Sequence, residues 1–329
     1  MSSFLAVALA AGLATTPVPA PAKPGGLPVA TNLDAWAQIP PKYPPLPVWA
    51  RTLVGPLPKT TGAMLELDHL HRAENPLGPA LSGKLRWVAA DAMGCEYAKR
   101  YAVADMKRAK VPQADIDNFL EGVGATPDDE KLLLKFARKL TRAAYSVTDE
   151  EFAAVLKAYG PERTCGAVHT LAYCNFHNRI LLAVGAEVEE GGPIPPLSVP
   201  LDADRRKDVP SPPRPEWDDL KTAKQPKVPT RSVWADDETA ADTTALLEAQ
   251  KERPLRIPLP DAKRFAGMPP EVKRQTDSIV WMTVSMGYQP RLTAAWFAAL
   301  RAYQSEAKLN RLASNSVFWV VTRGNECFY

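Results

Sequence analysis

Through the middle of the chain, apolar residues return every three or four positions. Met64, Leu65, Leu67 and Leu70 form one such series, and Leu81, Leu85, Val88 and Ala92 form the next. That spacing places one side of a helix against a core. Asn75-Pro76-Leu77-Gly78-Pro79 interrupts the two series, since proline and glycine here end one helix before another begins. Met93-Gly94-Cys95 reads as the junction to a third helix, which carries Tyr97, Tyr101, Ala104 and Met106 and stops before Val111-Pro112. Further helices are predicted over 113–121, 126–145, 148–159 and 161–186. Thr126-Pro127-Asp128-Asp129 supplies an N-cap, a proline at the first helical position and early acids, and Thr148-Asp149-Glu150-Glu151 supplies a capping box. No alternating strand pattern occurs between 60 and 186, so the fold class is all-α.

The flanks have a different texture. Residues 15–58 are proline-rich without helical period and are expected to form an extended leader packed onto the helical unit. From 187 the chain again loses its period, and ten prolines fall between Gly191 and Pro229. This reads as a long irregular connector, anchored in places by Trp217 and Trp234. Helical texture returns after Arg256, over 269–286, 291–304 and 307–322. The chain therefore divides into a leader (1–58), a helical unit (59–190), a connector (191–254) and a second, partial unit (255–329).

The reason to call the last segment a second unit is a phrase written twice. Trp87-Val88 is followed by six residues and then Cys95-Glu96-Tyr97; Trp319-Val320 is followed by six and then Cys327-Phe328-Tyr329. A match at four positions, 232 residues apart, indicates two copies of one element. A cysteine at a helix start has a physical reason to react, because the unpaired N–H groups and the helix dipole favour thiolate. A second thiol one turn on could resolve the oxidised sulfur, and a histidine beyond it could relay the proton. Cys95 and Cys327 are thus candidate nucleophiles, although a small buried residue at a helix junction is an equally ordinary role for cysteine.

Residues 85–101 (LRWVAADAMGCEYAKRY) resemble the cysteine region of the carboxymuconolactone decarboxylase/alkyl hydroperoxidase D (AhpD-like) family. So do Phe136-Ala137-Arg138-Lys139-Leu140-Thr141-Arg142, Val147-Thr148-Asp149-Glu150-Glu151-Phe152 and Asn175-Phe176-His177-Asn178-Arg179, in order. The resemblance covers about 130 residues. It implies an all-helical bundle, here as two tandem units, assembled as a homo-oligomer. It also implies cofactor-free thiol peroxidase (peroxiredoxin-type) or disulfide-reductase chemistry, with a hydroperoxide or disulfide substrate and an external thiol reductant. Both copies depart from the family pattern. In the first, Cys95 is followed by Ala98 and Ala102 at the resolving and histidine positions, and the expected glutamate falls on Gly83. In the second, the glutamate position is Asn315, and the resolving position lies after Tyr329. The expectation is an interrupted second site and impaired chemistry. The alternatives are a degenerate helical scaffold or the lactone decarboxylase branch, for which the sequence offers no clear acid–base set.

Other residues refine this picture. Cys174 and His177 lie three apart on one helix and can touch, as a thiolate–imidazolium pair or half a metal site, yet they sit in a core-like run. Cys165, nine residues before Cys174, points to the opposite face. His69 and His71 do not share a face and find no further ligands, so no metal site is expected. Asn178-Arg179 reads as a structural anchor. Lys+Arg 40 against Asp+Glu 37 gives a net charge of +3 without a basic block, which argues against a nucleic-acid partner. The apolar run 4–14 is long enough for a signal segment and too short to span a bilayer. No basic residue precedes it, which tips the expectation toward a cytoplasmic over an exported protein.

Overall fold

The computed structural model describes residues 27–39, 44–122, 126–199, 244, 245, 248, 254–265 and 280–324. Among these, eleven α-helices and no strand are found. The expected signal run, Trp217, Trp234 and Cys327 lie outside the described residues.

Two short helices open the fold: α1 (Asn32–Gln38) and α2 (Val48–Leu53). The described part of the leader (27–39 and 44–58) packs onto the core, and it contains helices where an extended chain was expected. Thr31 caps α1 by accepting the Asp34 N–H at 3.1 Å, a start signal hidden in a proline-rich stretch. Trp36, Leu46 and Trp49 are buried, so this segment is part of the core.

Next come α3 (Pro58–Ala73), α4 (Pro79–Met93), α5 (Glu96–Arg108), α6 (Gln113–Glu121) and α7 (Asp128–Arg142). The prolines opening α3 and α4 occupy the first helical turn, where a missing N–H costs nothing. Gly94 closes α4 in the left-handed region (φ 69°), which a residue with a Cβ adopts at a cost. α7 starts two residues later than expected, with Pro127 as its cap residue. The expected pair of helices over 148–186 is present as α8 (Asp149–Ala183), broken at Gly160 (φ 70°, ψ 169°) before Pro161. The capping box is formed: Thr148 Oγ accepts the Glu151 N–H, and Glu151 accepts the Thr148 N–H.

α4 lies at the centre, packed on α5, α7 and α8. Its approach to α5 is close at Gly83, where an added Cβ would fall 2.3 Å from Met106 Cγ. The position that the family pattern gives to glutamate therefore has no room for a side chain here. Gly83→Ala is expected to lower stability by about 1–3 kcal/mol through overpacking, despite the better helix propensity of alanine. A denaturant midpoint that rises on this substitution would contradict the close contact.

Three more helices complete the described chain: α9 (Val280–Tyr288), α10 (Pro290–Glu306) and α11 (Arg311–Gly324). α10 and α11 begin 232 positions after α3 and α4, the same offset as the repeated Trp-Val phrase. α10 packs along α3 and contributes Leu292, Ala295 and Ala299 to the main core. The contact is reciprocal. Glu306 accepts the Lys59 and Thr60 N–H groups at 2.6 and 2.8 Å, capping α3. Glu74, which stands 232 positions before Glu306, pairs with Arg291 at the start of α10 at 2.5 Å. α11 differs from its counterpart: Leu85, Val88 and Ala89 of α4 are buried, whereas Val317, Val320 and Val321 are exposed.

Candidate functional site

Cys95 occupies the N-cap position of α5, as expected, but its side chain is only 1 % exposed. Burial pushes its thiol above the ordinary value, and the nearby Glu96 charge adds to this. The Ala98 N–H, which favours thiolate, does not reverse the balance. Desolvation has won over the helix start. Cys174 lies in the same buried core, and its pKa is pushed up to about 12 by burial; Arg86 opposes the rise, and Asp68 and Cys95 add to it. Cys165 is also at about 12 by burial and packs separately with Val284 and Tyr288. The three are free thiols.

His177, one turn from Cys174, is buried and neutral. Burial drops its pKa to about 4, although the Asp68 charge pulls the other way. Its Nε2 has no hydrogen-bond partner. The ring lies edge-on to Trp49 and stacks near Tyr173, which stacks in turn on His71. His69 instead pairs with Glu74 at 3.1 Å. Among the described residues no group of three acidic, cysteine or histidine side chains is placed to hold a metal.

What surrounds His177 is a buried charged network that periodicity alone does not expose. Arg72 donates to Asp68 from Nη1 at 2.8 Å, and to Asp105 from Nε at 2.8 Å and Nη2 at 3.0 Å. Arg86 and Arg108 also donate to Asp105, at 2.8 and 2.9 Å. Tyr173 donates its hydroxyl to Asp68 at 2.6 Å. Burial alone would raise both carboxyls, but the guanidinium charges and hydrogen bonds hold Asp68 and Asp105 below the usual carboxylate value. A visible trace of this network was the pair Asp68 and Arg72, at i and i+4, interrupting an apolar helix face.

The network encloses a small cavity lined by Arg72, Arg86, Tyr97, Cys174, His177 and Asn178 among others. It offers about 20 Å³ to the centre of a water-sized sphere, room for one water molecule. The chain that leaves α8 bonds to several of the lining residues. Glu189 accepts the Tyr97 and Tyr101 hydroxyls at 2.9 and 2.7 Å and the Val48 N–H at 2.7 Å. Arg72 Nη2 donates to the Ile194 carbonyl at 2.6 Å, and Arg108 donates to the Pro193 carbonyl. Residues 186–199 are irregular and bond to Tyr97, Tyr101 and Arg72, three of the residues that line the cavity.

Of the predicted site residues, the fold brings Cys95, Cys174 and His177 into one region, with Cys174 and His177 on the cavity wall. Comparison with family models, with characterised proteins and with solved structures returns no match.

Proposed function

We propose that the chain is a tandem AhpD-like protein with thiol-dependent peroxidase or disulfide-reductase activity, in which the first unit is redox-silent and Cys327 is the working thiol. The observation that carries the division is the burial of Cys95 and Cys174. At pH 7 the Cys174 thiol, with a pKa of about 12, is thiolate in roughly one molecule in 10⁵, against a few per cent for an ordinary cysteine, and burial raises the Cys95 thiol as well. His177 does not repair this, because a base with a pKa of about 4 cannot hold a proton taken from such a thiol. The tandem arrangement is supported by the shared 232-residue offset of two helix starts and two cysteines.

The chemistry would run through Cys327 with an external thiol. Its thiolate attacks the peroxide oxygen, the O–O bond breaks, and an alcohol or water leaves after protonation. The sulfenic acid then condenses with the reductant to a mixed disulfide and water. A second reductant thiol releases the oxidised pair and regenerates Cys327.

The test is hydroperoxide consumption under excess dithiothreitol by Cys95→Ser, Cys174→Ser and Cys327→Ser variants. Loss of at least tenfold in Cys327→Ser alone is expected. Turnover that survives in Cys327→Ser and disappears in Cys95→Ser would reverse the assignment. Equal rates in all four proteins would favour the second reading, a helical scaffold without redox chemistry, which the sealed Cys95 also fits.

A further inference from the structure

Glu189 is an unusual occupant. Its carboxylate reaches in from the segment after α8 and takes three donors, the Tyr97 and Tyr101 hydroxyls and the Val48 N–H, without a cation among these partners. Those donors belong to the body of the bundle, on α5 and at the start of α2. Behind them lies the cavity with two guanidinium groups, Arg72 and Arg86, and the unpartnered Nε2 of His177. Tyr97 and Tyr101 stack with centroids 4.4 Å apart, and the Arg72 guanidinium lies 4.8 Å from the Tyr101 centroid, so both phenols are held in place independently of Glu189.

The strap that delivers Glu189 is irregular from Ala186 to Val199 and has glycines with positive φ at its start and middle, Gly185 (63°) and Gly192 (85°). It is fastened to the network through main-chain carbonyls, those of Pro193 and Ile194, which accept from Arg108 and Arg72. Lifting it would bare a preformed set of anion donors.

We propose that Tyr97, Tyr101 and the Val48 N–H form a binding site for a small carboxylate anion, occupied here by the protein's own Glu189, with residues 185–199 as its lid. The site takes a carboxylate because two fixed hydroxyls and one N–H converge on a two-oxygen acceptor. It takes a small one because the space behind holds a single water. The inference does not depend on the thiol chemistry proposed for Cys327.

Truncating Glu189 to alanine removes a CH₂–COO⁻ group, the shape of acetate. The experiment is therefore the thermal midpoint of Glu189→Ala in sodium acetate against sodium chloride of equal ionic strength. The expected result is a saturable rise of about 2–4 °C in acetate only. The wild-type protein should show no such rise at the same concentrations. Adding Tyr97→Phe and Tyr101→Phe to the alanine variant should abolish the response. If Glu189→Ala does not fold in chloride, acetate-dependent recovery of folded protein is the same expected result. Equal midpoints in acetate and chloride, or failure to fold in both, overturns the proposal.

Discussion

Stability is expected to fall steeply as the pH is lowered from about 6.5 to 4.5, before most carboxylates titrate. The cause is the buried neutral histidines. His71 and His177 sit at about 3 and about 4 in the folded protein, lowered first by burial and further by the Arg86 charge. The half-buried His169 is lowered to about 4 by the same desolvation. In the unfolded chain each returns to about 6.5. Between the two values the unfolded state binds protons that the folded state refuses, so acid favours unfolding. Two protons, and part of a third, give a slope of about 3–4 kcal/mol per pH unit. The check is a set of urea midpoints from pH 7.5 to 4.5. His71→Gln with His177→Gln should flatten the curve, whatever it does to stability at neutral pH. A curve flat down to pH 5 would mean that these rings are solvated.

Below that window the carboxylates add their own loss. Asp68 and Asp105 are held low in the fold, so their contribution is present above the ordinary carboxylate pKa and disappears as the pH falls through the lowered one.

The second large effect is expected at Asp105. This one carboxylate accepts four N–H groups from three guanidiniums, those of Arg72, Arg86 and Arg108. Replacing it by alanine leaves two buried cations short of partners and should cost about 3–5 kcal/mol. Asp105→Ala combined with Arg86→Met should recover part of the loss, since one cation leaves with its partner. Urea midpoints of the single and double variants measure both. A loss below about 1 kcal/mol would show that water replaces the carboxylate, and the network would then be open rather than sealed.

Most of the helices were legible because apolar period, prolines and caps agree at each boundary. The Gly160-Pro161 break and the Thr148–Glu151 box are read as easily from letters as from coordinates. α1 and α2 were missed because seven and six residues are too few to show a period, and prolines surround them. The candidate site was half legible. The position of Cys95 at a helix start follows from Met93-Gly94-Cys95, but its burial does not, since that depends on packing contributed by distant segments. Asp68, Arg72, Arg86, Asp105 and Glu189 are ordinary charged letters in sequence. Only the crossing of α3, α4, α5 and the strap makes them one group. The cysteine variants decide between thiol chemistry and a redox-silent scaffold.

The reciprocal contact between α3 and α10 has a further consequence. Two like helices that meet through Glu74 with Arg291 and Glu306 with Lys59 are the arrangement of a symmetric dimer, yet both belong to one chain. A covalent link turns partner search into an intramolecular event, with an effective concentration in the millimolar range for a short flexible tether and lower for a long one. The pairing of α3 with α10 therefore does not respond to dilution or expression level, and the two helices are free to diverge from one another. That freedom is visible already: Asp68, Arg72 and Arg86 have Leu300, Gln304 and Phe318 as their counterparts 232 residues on. None of these three counterparts carries a charge, so α10 and α11 do not repeat what α3 and α4 give to the chamber.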